Sequence, residues 1–199
     1  MEIITIITFI FVLVVLLFSV VIHELAHGSV AYSLGDPTAK YAGRLTLNPL
    51  KHLDPIGSII LPILLLILAI KTGNWIIVGW AKPVPVNPYN FKDKKYGDIK
   101  VSLAGPASNI LLAIFFGLIL RFMPKEIFID NQGILIAFSY IVSINIWLAL
   151  FNLIPIPPLD GSWVLFSLLP ERFGNIKIFL KQYGFAILMF LIFFGGLQW

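Results

Sequence analysis

The sequence predicts an all-helical, polytopic membrane protein: a bundle of about 4–6 transmembrane segments with a re-entrant or extended segment near residues 71–88. Composition is the first support. Of 199 residues, 59% are hydrophobic and only 12% charged, with a mean hydropathy of +0.95. A soluble domain of this size needs far more polar surface. The second support is the placement of long apolar runs, and the third is the distribution of basic residues between them. The net charge of +4 sits in short loops, which argues against nucleic acid as a partner and for the lipid bilayer.

The first run covers residues 3–22 and continues as a helix through His27 to about Leu34. Runs at 100–121, 134–154 and 178–197 are each long enough to cross the hydrocarbon as a helix. A fifth, Ile56–Ile70, is short for a span and contains Pro62. It leads into residues 71–88, where Gly73, Gly79, Pro83, Pro85 and Pro88 exclude a regular helix. Irregular backbone at membrane depth must be buried in protein or line a wetted cavity. An extended stretch around Trp80–Pro88 could pair with an unwound peptide by strand addition. The chain contains no internal repeat and no hydrophilic stretch long enough for a second soluble domain, so residues 1–199 read as one transmembrane domain. Met1-Glu2 lack the basic start of a cleavable signal, and the first segment is expected to stay in the mature protein. The absence of cysteine excludes disulfides, Cys-ligated metal and thiol nucleophiles.

Charge decides the topology better than hydropathy. If residues 56–80 enter and return, one face holds Lys40, Arg44, Lys51, Lys82, Lys92, Lys94, Lys95, Lys100, Arg172, Lys177 and Lys181. The other keeps Lys71, Arg121 and Lys125, so all but three of the 14 basic residues share a face. Treating 56–70 as an ordinary span divides them weakly and separates His27 from Asp160. The positive-inside rule favours the hairpin. Both termini are then outside, the loops after His27 and Asp160 are cytoplasmic, and the site lies near the cytoplasmic side of the cell membrane.

His23-Glu24-Leu25-Ala26-His27 carries the chemistry. On a helix this spacing puts two imidazoles one turn apart on one face, where a single Zn²⁺ can bridge them. Glu24 beside them can act as general base on water. Three ionisable residues at membrane depth are a functional hypothesis in themselves. Catalytic zinc normally takes three protein ligands, and the charge-derived topology supplies the third as Asp160, on the same side and at similar depth as His27. It follows the helix-breaking prolines of Asn152-Leu-Ile-Pro-Ile-Pro-Pro-Leu-Asp160-Gly161, where Gly161 lets the backbone turn. One zinc ion per chain is expected.

These motifs, with Gly105-Pro106-Ala107-Ser108-Asn109 and the Asn152…Pro155…Pro158-Leu159-Asp160-Gly161 element, resemble the site-2 protease family of intramembrane zinc metalloproteases. Asn48–Pro55 and Gly79–Pro88 resemble a small prokaryotic subgroup without PDZ or CBS domains. The resemblance implies peptide-bond hydrolysis in or near the membrane-spanning segments of protein substrates. It implies that His23, His27 and Asp160 hold zinc, that Glu24 is the base, and that Asn152 faces the reaction centre.

Other polar residues are less specific. Asp160 could be a turn aspartate before glycine, and Asn152 and Asn109 could serve helix packing. His52 and Asp54, in a turn-rich segment before Pro55, are expected to orient a ligand or brace the 56–70 unit, as is Asn109. Trp75, Trp80, Tyr89, Tyr96 and Trp163 read as interfacial anchors, and Gly195-Gly196 as packing. A serine or aspartyl intramembrane protease lacks its motifs here. The alternative is a non-enzymatic divalent-metal-binding membrane protein or transporter. It would need a polar path across the bilayer, whereas the ionisable residues cluster at one depth.

Overall fold

A computed structural model of the chain describes residues 2–72, 79–124, 127 and 131–194. The expected anchor Trp75 and the Gly195-Gly196 pair lie outside the described residues. All regular structure among the described residues is helical, and five helical stretches are long and apolar enough to cross a membrane. They are Ile6–Ser33, Pro55–Thr72, Gly97–Phe122, Gln132–Asn152 and Glu171–Ile192.

The first helix, α1 (Glu2–Ser33), is continuous through the HExxH residues, because nothing from Ile3 to Ser33 breaks the 3.6-residue repeat. It ends where Gly35 takes a φ of 105°, a conformation that disfavours any residue with a Cβ. A one-turn helix, α2 (Thr38–Tyr41), follows. The short entering run starts at a π turn, Pro55–Ile60, and continues as α3 (Leu61–Thr72). Asp54 caps this start, accepting from the Ile56 and Gly57 N–H groups at 3.0 and 2.8 Å. Pro62 does not break the run. It is the second residue of α3, where the ladder is already changing register and a missing N–H matters least.

The return of the chain beside its own entry settles the geometry of this unit. The Trp80 N–H donates to the Gly57 carbonyl at 3.3 Å, the Ser58 hydroxyl to the Trp80 carbonyl at 2.8 Å, and the Lys82 N–H to the His52 carbonyl at 2.9 Å. A Cβ on Gly57 would enter the Trp80 ring. Residues 52–58 and 80–82 therefore lie together, as a hairpin requires and a plain span forbids.

The remaining helices are α4 (Gly97–Phe122), α5 (Gln132–Asn152), α6 (Asp160–Leu168) and α7 (Gly174–Phe194). The centre of the bundle is α4, packed against α1, α5 and α6, with α1 also touching α5. Outer faces carry exposed Ile, Leu and Phe side chains, for example Ile7, Leu111, Phe115 and Phe185, the pattern of lipid contact rather than water contact. Since lipid is as apolar as leucine, the helices associate through close packing and interhelical hydrogen bonds. Buried Val21, Ala113 and Ala149 supply the close packing. On α7, Gly184 admits Pro157 so closely that a Cβ would lie 2.8 Å from the proline ring, which fixes the α5–α6 loop over the bundle.

The hairpin predicts accessibility. In a cysteine-free chain, single cysteines at Lys51, Lys94 and Asn175 should react with an impermeant thiol reagent from one membrane face. Cysteines at Arg121 and Asn131 should react from the other. Labelling of Lys51 and Lys94 from opposite faces would break the hairpin.

Candidate metal centre

Helical spacing puts His23 and His27 on the same face of α1, and the structure leaves them 5% and 8% exposed. Each ring is held from behind. His27 Nδ1 lies 2.6 Å from the Val101 carbonyl of α4. A carbonyl only accepts, so Nδ1 carries the hydrogen. His23 Nδ1 lies 2.6 Å from Asn109 Oδ1. The Asn109 amide nitrogen donates to Asn145 Oδ1 at 2.9 Å and to the Ser19 carbonyl at 3.3 Å, which leaves its oxygen to accept from His23. Asn145 in turn donates to the Ser19 hydroxyl at 3.0 Å and to the Ile141 carbonyl at 2.9 Å. These assignments follow from the network.

With both hydrogens on Nδ1, both Nε2 lone pairs face the same point. They lie 3.0 Å apart, and Asp160 Oδ2 is 3.0 Å from one and 3.2 Å from the other. Three acceptors converge with no proton to separate them, an arrangement that a cation relieves. The separations approach the roughly 3.3 Å between ligand atoms of a tetrahedral zinc site with bonds near 2.05 Å. His23, His27 and Asp160 thus form a group that could hold a metal ion, with the outer-shell partners such histidines usually have.

Two glycines make room. Gly105 sits against the imidazoles, so that a Cβ would lie 2.5 Å from His23 Nε2 and closer still to His27 Nε2. At Gly161 a Cβ would strike the Leu153 backbone. The expected role of Gly161 was to turn the backbone. Positive φ occurs only at Gly35 and Gly43 among the described glycines, so the reason is steric instead. Without a side chain, the start of α6 tucks under the end of α5 and aims Asp160 inward.

Glu24 is fixed by the returning chain. Its Oε2 accepts from the Val84 N–H at 2.7 Å. The strap Lys82–Asn87 is pinned at three points: the His52 carbonyl, Glu24, and Asp36, whose Oδ2 accepts from the Asn87 N–H at 2.7 Å. Asp36 is fully buried and also accepts from Asn90 Nδ2 at 2.8 Å and from the Thr38 N–H and hydroxyl. Burial pushes its carboxyl up, and these hydrogen bonds outweigh that, holding it below the usual carboxylate value. The strap is a poor pairing strand. Pro83 and Pro85 have no N–H, and those of Val84 and Asn87 are engaged, so Val86 alone can donate between 83 and 88.

Strap, α1, α4 and α6 enclose a cavity of about 400 Å³ lined by His23, Glu24, His27, Asn152 and Asp160 among others. Asn152 closes α5, and its Nδ2 donates to the Leu148 carbonyl at 2.9 Å. His52 and Asp54 stay outside this cluster. His52 is fully buried with Nε2 2.9 Å from the Thr46 carbonyl, and Asp54 caps the π turn, so both brace the hairpin and neither touches a metal-ligand side chain. Ser19, Asn145, Asp36 and the part played by Gly105 were not singled out from the sequence. Their one signal was polarity, or a missing side chain, inside or beside apolar runs.

A buried two-histidine, one-carboxylate group that could hold a metal ion, set among helices long and apolar enough to cross a membrane, is the arrangement of a membrane metalloprotein. The chain belongs to peptidase family M50, the site-2 protease family of intramembrane zinc metalloproteases. The family model "Peptidase family M50" matches residues 123–194. The chain is 40% identical over 185 residues to "Putative zinc metalloprotease YwhC" of Bacillus subtilis, covering 91% of this chain and 79% of that one. It is 32% identical over 185 residues to Rip2 of Mycolicibacterium smegmatis, described in the same words, covering 92% and 67%. "Zinc metalloprotease MJ0392" of Methanocaldococcus jannaschii is 27% identical over 190 residues, covering 94% and 43%. No solved structure matches the chain. Family membership does not favour the alternative of a non-enzymatic divalent-metal-binding membrane protein or transporter.

Gly105→Ala should push both imidazoles aside and lower zinc occupancy in purified protein, read by metal analysis. Asn109→Ala should weaken zinc about 10- to 100-fold, the usual size of such a loss, read by competition with a chelator. For Asp36 the folded pKa is depressed, so its stabilisation is present above the unfolded value near 3.9 and lost as pH falls through the lower folded value. The Tm gap between wild type and Asp36→Asn should therefore be open at pH 7 and close below about pH 4.

Proposed function

We propose that this chain cleaves peptide bonds in or beside the membrane-spanning segments of other membrane proteins, with the HExxH residues as its catalytic centre. The observation that carries this reading is the convergence of two Nε2 lone pairs and the Asp160 carboxylate at one point, with Glu24 on the same cavity wall. His23, His27 and Asp160 hold one zinc ion. Zinc held there supplies Lewis acidity, which brings the pKa of water towards neutrality and polarises a carbonyl.

The protein's own residues do the rest. The Val84 N–H fixes one oxygen of Glu24, and the other is left to take a proton from water and later return it to the leaving amine. Asn152 spends one amide hydrogen on Leu148 and offers the second to the oxygen on which negative charge develops. Val101 and Asn109 keep each Nδ1 protonated, so that neither imidazole turns its lone pair away. The substrate enters unwound, because a helical peptide bond is shielded by its own turn. Residues 1–199 act as a single domain in the cell membrane, with the site near the cytoplasmic face that the basic loops define.

Glu24→Gln removes the base and no ligand. Purified, it should retain zinc and lose cleavage of a single-span substrate by at least about 10²-fold, within the range general bases supply. Asp160→Asn should lose zinc and activity together. Near-normal turnover by Glu24→Gln would sink the mechanism.

A further inference from the structure

One charged residue in the wall of the metal-site cavity has no task in the chemistry above. Asp98 lies in the first turn of α4, partly buried, and lines the same cavity as Glu24 and Asp160. Its carboxylate makes no hydrogen bond or ion pair among the described residues. Neighbouring cations are committed elsewhere: Lys100 pairs with Asp93 at 2.7 Å, and Lys94 donates to the Tyr89 carbonyl at 2.5 Å. The wall thus holds an unpaired anion on the membrane face that carries most of the chain's cations.

The rest of this wall suits the partner such an anion calls for. Val86, Phe91 and Trp163 line the same cavity, giving apolar surface for the stem of a long cationic side chain, while the Trp163 ring itself carries the Lys181 ammonium 5.9 Å from its centroid. Position follows from helix geometry. Asp98, Val101, Ser102 and Gly105 share one face of α4, and Gly105 abuts both imidazoles. Seven residues at 1.5 Å each put Asp98 about 10 Å from the metal centre along the helix, about three residues of extended peptide. Membrane proteins oriented by the positive-inside rule carry lysine and arginine just beyond their spans on that face.

We propose that Asp98 is the specificity-determining residue of this cavity and selects substrates with a lysine or arginine about three residues from the cut bond, on the loop side. This rests on the proteolytic reading above. Discrimination comes from a charge-assisted hydrogen bond to a cation, and an acidic residue at that position meets like charge instead.

The test uses full-length, zinc-loaded protein in phosphatidylcholine liposomes, which carry no anionic lipid to attract basic flanks. The probe is a library of single-span peptides with a glycine- and proline-loosened span and loop-side flanks randomised among Lys, Ser and Glu. Cut sites are read by mass spectrometry. Cleavage by wild type that is absent in Glu24→Gln establishes the protease reading, and no such cleavage overturns that reading and this proposal together. Given cleavage, wild type should favour Lys over Ser two to four residues beyond the cut by about tenfold, the size of a hydrogen bond to a charged group. Asp98→Asn should erase that ratio, and Asp98→Lys should invert it in favour of Glu. A Lys:Ser ratio near one in wild type, or one that persists in Asp98→Asn, overturns the proposal. So does a uniform loss of rate across all flanks in Asp98→Asn, which is what a purely helix-stabilising first-turn carboxylate would give.

Discussion

Three acceptors that converge in a medium with little water are the constraint around which this bundle is built. His23 Nε2, His27 Nε2 and Asp160 Oδ2 stand 3.0–3.2 Å apart, which is unfavourable unless a cation sits among them. Holding them there demands that each imidazole donate its only hydrogen backwards. Val101 and Asn109 on α4 accept those hydrogens, and this makes α4 the central helix in chemistry as well as in packing. The polar chain from His23 through Asn109 to Asn145 and Ser19 ties α1, α4 and α5 together at a depth where water cannot substitute. Bonds of this kind contribute about 1 kcal/mol each in membranes, so their larger effect is to specify one geometry.

Close approach is the second requirement, and glycine meets it. Gly105 brings the α4 backbone up to the imidazoles, Gly161 slides α6 beneath Leu153, and Gly57 lets Trp80 lie against the start of the hairpin. Each contact is between backbone and ring or backbone and backbone, at distances no Cβ would tolerate. The hairpin then delivers the strap, and the strap delivers the Val84 N–H to Glu24. Glu24 is therefore oriented by a segment sixty residues away in sequence, itself moored to His52 and Asp36.

Much of this was legible in the chain. The HExxH spacing is local, a property of one helix, and survives any tertiary arrangement. The hairpin was legible from the placement of lysine and arginine, because charge is sorted across the bilayer before helices pack. Asp160 was legible at one remove, since the same topology brought it to the depth of His27. His52 was legible as an important residue in a fixed turn, but whether it faced the metal or the hairpin could not be read from a loop position. Gly161 was recognised for its place and misjudged in its reason, because steric crowding by Leu153 depends on another helix.

By itself, then, the sequence determined the membrane class, the hairpin and the identities of the residues that converge. These rest on hydropathy, charge and the 3.6-residue repeat, all properties of short segments. Only the tertiary structure decided which hydrogen sits on which imidazole nitrogen, that Asn145 and Ser19 stand behind Asn109, and that the Val84 amide of the strap is spent on Glu24. Those are contacts between segments far apart in the chain, and their physical basis is the pairing of polar groups that the bilayer leaves no other way to satisfy.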